Sequence, residues 1–267
     1  MTISKSKGVA LITGASSGIG AIYADRLARR GYDLVLVARN RERLEKVAQR
    51  VSTATQRKVE TVVADLAKPA DLARVEANLR SDSRITLLVN NAGFGALTPL
   101  LSSDVEKMDE MIRVNILALT RLTYAAVPGL VSRGHGAIVN IASVVAVAPD
   151  WLNGVYGASK SFVLSFSQSL RTELADKGVQ VQVVLPGATA TDFWSSAGQP
   201  VENLPQHIVM SSEDLVDAAL VGFDKGEFAT VPSLPDVEQW NTFEAARLAL
   251  RPKLSLAKPA DRYAKTH

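Results

Sequence analysis

The chain has no cysteine and only three histidines, His135, His207 and His267. The first absence excludes disulfides, thiolate metal sites and a cysteine nucleophile, and no metal site is expected. No uninterrupted run reaches the roughly 18 apolar residues expected of a membrane-spanning helix. The N-terminus Met1 to Lys7 passes straight into an apolar strand, without a signal-type apolar region or cleavage site. A cytoplasmic location and no membrane partner are the expectations. A basic stripe is lacking as well: the net charge is +3, the pI is near 9.1, and cations alternate with acids from Arg39 to Lys46. That pattern is a solvated helix face and predicts no nucleic-acid partner.

What is there is a chain of 267 residues, 47% hydrophobic and 21% charged, with no linker, internal repeat or low-complexity segment. This composition predicts one globular domain over 1–267. Short apolar runs alternate with amphipathic ones. Strands are predicted at Val9 to Ile12, Leu34 to Val37, Val59 to Ala64, Leu87 to Asn90, Ala137 to Ala142, Val179 to Leu185 and Phe228 to Val231. Helices fill the gaps at about 19–30, 41–53, 69–80, 104–132, 154–177 and 212–225. Buried strands joined by helices imply right-handed crossovers, hence an α/β, doubly wound Rossmann-type domain with a parallel sheet of about seven strands. Two regions break the rhythm. Residues 187–210 are rich in Gly, Pro and Ser and follow a strand end, as a substrate lid would; the tail 236–267 opens with one amphipathic helix before Pro252.

The first strand ends in Gly14-x-Ser16-Ser17-Gly18-Ile19-Gly20, at a strand-to-helix turn. Glycines there permit a tight turn and a close approach of backbone N–H groups to a pyrophosphate. The same letters spell Gly14-x-Ser16-x-Gly18, the spacing of a serine-hydrolase elbow. None of the three histidines carries a supporting motif, and such an elbow normally follows several strands, so hydrolysis by Ser16 is the lesser reading. Where the second strand ends, an acid would bond the ribose of NAD; here Arg39 stands, followed by Asn40, and an arginine pairs with a 2′-phosphate. The cofactor expected is therefore NADP(H). Asp65 and Leu66 follow the third strand, where they can bond adenine or cap a turn. Asn91, Ala92 and Gly93 end the fourth, where small residues let the backbone pass close to the cofactor ribose while the asparagine amides tie strands together.

Tyr156 and Lys160 stand one helical turn apart, so both lie on one helix face. A cation beside the phenol, together with an oxidised nicotinamide, is expected to lower its pKa toward neutrality. Tyr156 then exchanges a proton with a carbonyl or alcohol oxygen that Ser143, at the end of the fifth strand, also hydrogen-bonds. The glycine run, Asn-Asn-Ala-Gly, Asn115, Ser143, Tyr156-x-x-x-Lys160 and Pro186-Gly187 follow one another as in the short-chain dehydrogenase/reductase family, which the chain resembles from about residue 7 to 232. The resemblance implies that Lys160 also holds the nicotinamide ribose and that Asn115 anchors a water leading protons to solvent; a bland alternative makes Asn115 a helix-bending polar residue. It also implies that Pro186, Gly187, Thr189 and Thr191 edge the nicotinamide, with either threonine near the carboxamide. The helices 104–132 and 154–177 would form a homodimer or homotetramer interface.

Phe94, Val145, Trp151, Leu152, Phe193 and Trp194 follow strand ends or flank Tyr156 and predict an apolar carbonyl or alcohol substrate. The expected activity is hydride transfer between NADPH and a carbonyl. A dinucleotide-sensing protein without catalysis is the alternative, although it would have little need of Ser143, Tyr156 and Lys160 together.

Overall fold

The computed structural model describes residues 7–263, and for Ser196 the backbone alone. His267 and the last residues of the tail lie outside them. Seven strands form one parallel sheet: β1 (Val9–Thr13), β2 (Asp33–Ala38), β3 (Val59–Val63), β4 (Ile85–Asn90), β5 (Gly136–Ile141), β6 (Val179–Val184) and β7 (Ala229–Thr230). Their order is β3-β2-β1-β4-β5-β6-β7, so the winding reverses between β1 and β4. Leu11 of β1 is in register with Val35 on one side and Leu88 on the other. Ligands of such sheets bind in the crevice at the carboxyl ends of the strands flanking this reversal.

The described residues contain nine α-helices: α1 (Gly18–Arg29), α2 (Arg41–Thr55), α3 (Pro69–Ser81), α4 (Val105–Ile112), α5 (Leu119–Arg133), α6 (Gly154–Leu174), α7 (Phe193–Ser196), α8 (Ser212–Asp224) and α9 (Val237–Ala249). Leu27 of α1, Leu44 and Val47 of α2 and Leu215 of α8 close one core over Ile12, Leu36 and Leu87. On the other side α5 packs on α3, β4 and β5, and α6 on β6. The buried Glu76 of α3 ties two helices there, accepting from Arg80 at 2.8 Å and from Arg121 of α5. A polar row crosses the same layer: Asn90 Nδ2 donates to Thr123 and Asn140, and Asn140 Nδ2 donates to Ser167. The expected tie between adjacent strands is thus made by an asparagine amide.

Two expectations change. The helix predicted as continuous over 104–132 is interrupted by a π-helical turn, Arg113–Ala118, centred on Asn115. The side chain of Asn115 bonds the backbone of Phe94 in both directions, and a π-turn turns one residue of the helix to that use. Taken together, Val105–Arg133 is also long and apolar enough to cross a membrane by length and composition, which counting uninterrupted apolar runs misses; half of that apolar window is buried in the fold.

The described residues group into two compact units, one ending at Pro232 and one beginning at Ser233. The first holds the sheet and α1 to α8. The second holds α9, started by Asp236, whose carboxylate accepts from the Glu238 N–H, and none of its helical residues is buried.

Candidate active site

The turn after β1 is shaped by backbone no other residue adopts easily. Gly14 and Gly18 have φ of +66° and +49°. A methyl at Gly14 would lie 2.8 Å from Asn91 Nδ2 and 2.9 Å from Ala92 Cα, and one at Gly20 would overlap the Gly14 carbonyl oxygen. Thr13 Oγ1 receives the N–H groups of Asn91 and Ala92, each at 3.0 Å, and Asn91 Nδ2 donates to the Thr13 and Gly14 carbonyls. The loops after β1 and β4 are therefore one unit. Ser17 begins α1 without a side-chain cap, and the first turn holds no acid. That helix end keeps its N–H groups and positive dipole for an anion, so the turn fits a pyrophosphate. A cavity of about 470 Å³ beside it is lined by Ser16, Ser17, Gly18, Arg43 and Lys46, among others.

At the end of β2 Arg39 is exposed, its guanidinium 3.2 Å from Glu110 of α4. Asn40 instead spends its side chain on α2, accepting the Arg43 N–H at 2.9 Å. Asp65 makes a turn: it accepts from the Ala67 N–H, and its own N–H donates to Asp71. Leu66 beside it is buried.

The residues expected to react converge at the carboxyl ends of β5 and β6. Asn153 caps α6 by accepting the Val155 and Tyr156 N–H groups, and its amide donates to Thr98 O and Ser103, pinning the loop before α4. Tyr156 is buried in the first turn of that helix, and Ser143 is the side chain that acts on its phenol. Ser143 starts a short 3-10 turn and donates to the Pro186 carbonyl at 3.3 Å. Lys160 Nζ donates to the Ile141 carbonyl at 2.9 Å and lies 5.8 Å from the Tyr156 ring centre. Asn115 Nδ2 donates to Ser159, whose hydroxyl donates to the Tyr156 carbonyl. A methyl at Gly93 would meet Asn115 Oδ1 at 2.9 Å, with Lys160 Nζ at 3.6 Å, so only glycine passes here.

The expected lowering of the phenol needs the oxidised nicotinamide as well as Lys160; the protein's own groups act, on balance, in the other direction. Burial pushes Tyr156 up to about 12, against the pull of the Ser143 hydrogen bond. Desolvating a phenolate outweighs one hydrogen bond, and Lys160, turned to Ile141, is itself pulled down to about 8 by burial. Because its folded value lies below that of an unfolded lysine, the unfolded chain holds a proton between about pH 8 and pH 10 that the folded chain has lost. Stability in the cofactor-free protein should rise across that window, by up to about 3 kcal/mol. Denaturation curves of the wild type minus those of Lys160→Met isolate this rise; a flat difference would mean a hydrated lysine.

Four of the six expected substrate residues, Phe94, Val145, Leu152 and Phe193, gather around Tyr156 with Met108, Met111, Ala96 and Val155. Trp151 does not: it is 69% exposed on a 3-10 turn. Trp194 donates its indole N–H to the Thr189 carbonyl and meets Phe193 edge-on. Met108 and Met111 escaped the sequence reading, although their i, i+3 spacing on α4 marks one buried face. Of the two threonines, Thr191 lies against Gly18, while Thr189 is buried and donates to the Gly187 carbonyl.

Among the described residues the hydrolase arrangement is not formed. Ser16 follows the carboxyl end of β1, whereas His135 immediately precedes the amino end of β5 and contacts the Arg133 carbonyl. His207 sits on an exposed 3-10 turn in 187–210.

A doubly wound sheet with a glycine turn at its reversal and a Ser-Tyr-Lys set beside it defines a Rossmann-type oxidoreductase. The family model for short chain dehydrogenases matches residues 8–202, and the chain belongs to that family. A short-chain dehydrogenase from Sphingobium yanoikuyae, solved in complex with NADPH, is 49% identical with a TM-score of 0.93, over 96% of this chain and 100% of that one. The bulky-bulky ketone specific alcohol dehydrogenase from Comamonas testosteroni is 43% identical with a TM-score of 0.89, over 97% and 99%. The very-long-chain 3-oxoacyl-CoA reductase of Anas platyrhynchos is 37% identical over 187 residues, 68% of this chain; the match spans only 60% of that reductase.

Proposed function

We propose that the protein is an NADPH-dependent reductase of ketones with apolar substituents, running in reverse as a secondary-alcohol dehydrogenase. The observation that carries this reading is the buried Tyr156 phenol, on whose pKa Ser143 acts, walled by Phe94, Met108, Met111, Val145, Leu152 and Phe193. When bound, the reduced nicotinamide supplies the hydride that the carbonyl carbon accepts. Tyr156 delivers its proton to the carbonyl oxygen, and Ser143 Oγ–H, turning from its long bond to the Pro186 carbonyl, donates to the same atom and orients it. The apolar wall excludes water and favours a substrate whose substituents are themselves apolar. Reduction of an aryl ketone by the purified protein with NADPH tests the reading; no turnover across alkyl, aryl and steroid ketones would reject it.

Arg39 supports the phosphate-bearing cofactor, as do two NADPH-bound relatives, the Sphingobium enzyme and the 30% identical L-sorbose reductase from Gluconobacter frateurii. An Arg39→Asp variant should lose about tenfold or more of its NADPH over NADH preference, since a charge-assisted pair becomes a repulsion. An unchanged ratio of the two dissociation constants would show that Arg39 serves Glu110 alone. Assembly belongs to the same reading: Tyr124 of α5, 69% exposed, stacks on Phe166 of α6, which stacks on Phe162, an apolar row that supports a homodimer.

A further inference from the structure

Arg43 of α2 and Asp192 at the start of 187–210 form an ion pair at 2.8 Å although 149 residues separate them. Asp192 directly precedes Phe193, whose ring centre lies 5.5 Å from that of Tyr156 at a tilt of 47°. The Phe193 ring also fills the space a side chain at Gly95 would need, so it closes the pocket over the phenol. The strap leading to it is anchored at its base. Ala190 N–H donates to the Met210 carbonyl, Met210 N–H to the Ala188 carbonyl, and Ser212 Oγ to the Ala190 carbonyl, each at 2.9 Å. Beyond that base the chain passes Thr191, packed on Gly18, and reaches Asp192, which Arg43 grips from the cofactor side of the fold.

We infer that Arg43 is a positioning residue for the substrate pocket: through Asp192 it sets how far Phe193 leans over Tyr156, and so the size of ketone admitted. Arg43 lines the cavity beside the glycine turn and holds the strap through Asp192, so its effect on the substrate pocket passes through the strap. The pair is more than half exposed, 58% and 64% for the two side chains, so it is weak and screened by salt. A tie of that strength shifts a conformational balance by about two- to fivefold, which suits a pocket that must open for each substrate. The substrate part of this inference rests on the ketone-reductase reading; the mechanical part does not.

Trp194 reports on the strap directly, because it meets Phe193 edge-on at 5.5 Å and bonds Thr189. With Trp151 and Trp240 replaced by phenylalanine, acrylamide quenching of Trp194 is measured in the cofactor-free protein. Asp192→Asn should raise the quenching constant about twofold. Salt at about 1 M should bring the parent protein toward that value, since the Debye length is then a few ångströms. The charge swap R43D/D192R should restore shielding at low salt. In turnover with saturating NADPH, Asp192→Asn should raise kcat/KM for a diaryl ketone relative to a compact dialkyl ketone by about two- to fivefold, through KM. Equal quenching in parent and D192N, a change that salt does not reproduce, or a failure of the swap to restore shielding would each overturn the latch. If no ketone is reduced, the reductase reading falls, and the quenching comparison still decides the role of Arg43.

Discussion

Tyr156→Phe is expected to lower kcat for ketone reduction by about 10²- to 10⁴-fold, the usual contribution of a positioned general acid. The substitution removes one oxygen and keeps the ring that packs against Phe193, Met108 and Met111, so the fold and the pocket wall remain. What is lost is the proton that the carbonyl oxygen needs as the hydride reaches carbon. With a pKa raised to about 12 by burial, the phenol of the cofactor-free protein is fully protonated at neutral pH, the form a reductive step requires. The same elevation makes it a poor base for alcohol oxidation until a nearby positive charge lowers it. Reduction should therefore tolerate lower pH than oxidation, and both should fail in the variant. The check is kcat under saturating ketone and NADPH, alongside NADPH binding followed by fluorescence. Binding should be retained; activity within tenfold of wild type would remove Tyr156 as the proton donor.

Gly20→Ala should be the most damaging single methyl in the cofactor turn. The added carbon would overlap the carbonyl oxygen of Gly14 and crowd Asn91 Nδ2, and neither can yield, because Asn91 bonds that same carbonyl at 3.2 Å and Thr13 O at 2.9 Å. Overpacking against backbone costs about 1–3 kcal/mol, and moving α1 off the turn displaces the N–H groups that would face the pyrophosphate. Thermal unfolding with and without NADPH separates the two effects: a lower Tm alone reports strain, while a lost shift on adding NADPH reports the binding site. Gly154→Ala is the control, since nothing lies within 4 Å of a methyl there and its φ is ordinary. Unimpaired NADPH affinity in Gly20→Ala would dissociate the turn from the cofactor.

The fold and the position of the reacting groups were legible because their signals are local. Short apolar runs such as Val9 to Ile12 and Leu34 to Val37, set between amphipathic helices, read as buried strands of a parallel sheet. A glycine turn between strand and helix has few physical uses, and i, i+4 spacing places Tyr156 and Lys160 on one face without further information. The π-turn at Asn115 was not legible, because it depends on Phe94, 21 residues away, offering its backbone to the asparagine side chain. Trp151 and Phe193 looked equivalent as aromatic residues near strand ends; the path of the chain put one in solvent and the other on Tyr156.

The sequence by itself determined the doubly wound class, the glycine turn after β1, the Ser143, Tyr156 and Lys160 set and the basic residue at the end of β2, since each is written in spacing along a strand, a turn or one helical turn. Tertiary structure alone decided how deeply Tyr156 and Lys160 are buried, the residues that wall the pocket, and the grip of Arg43 on Asp192. Those depend on desolvation and on contacts between segments distant in the chain, and no local periodicity encodes either one.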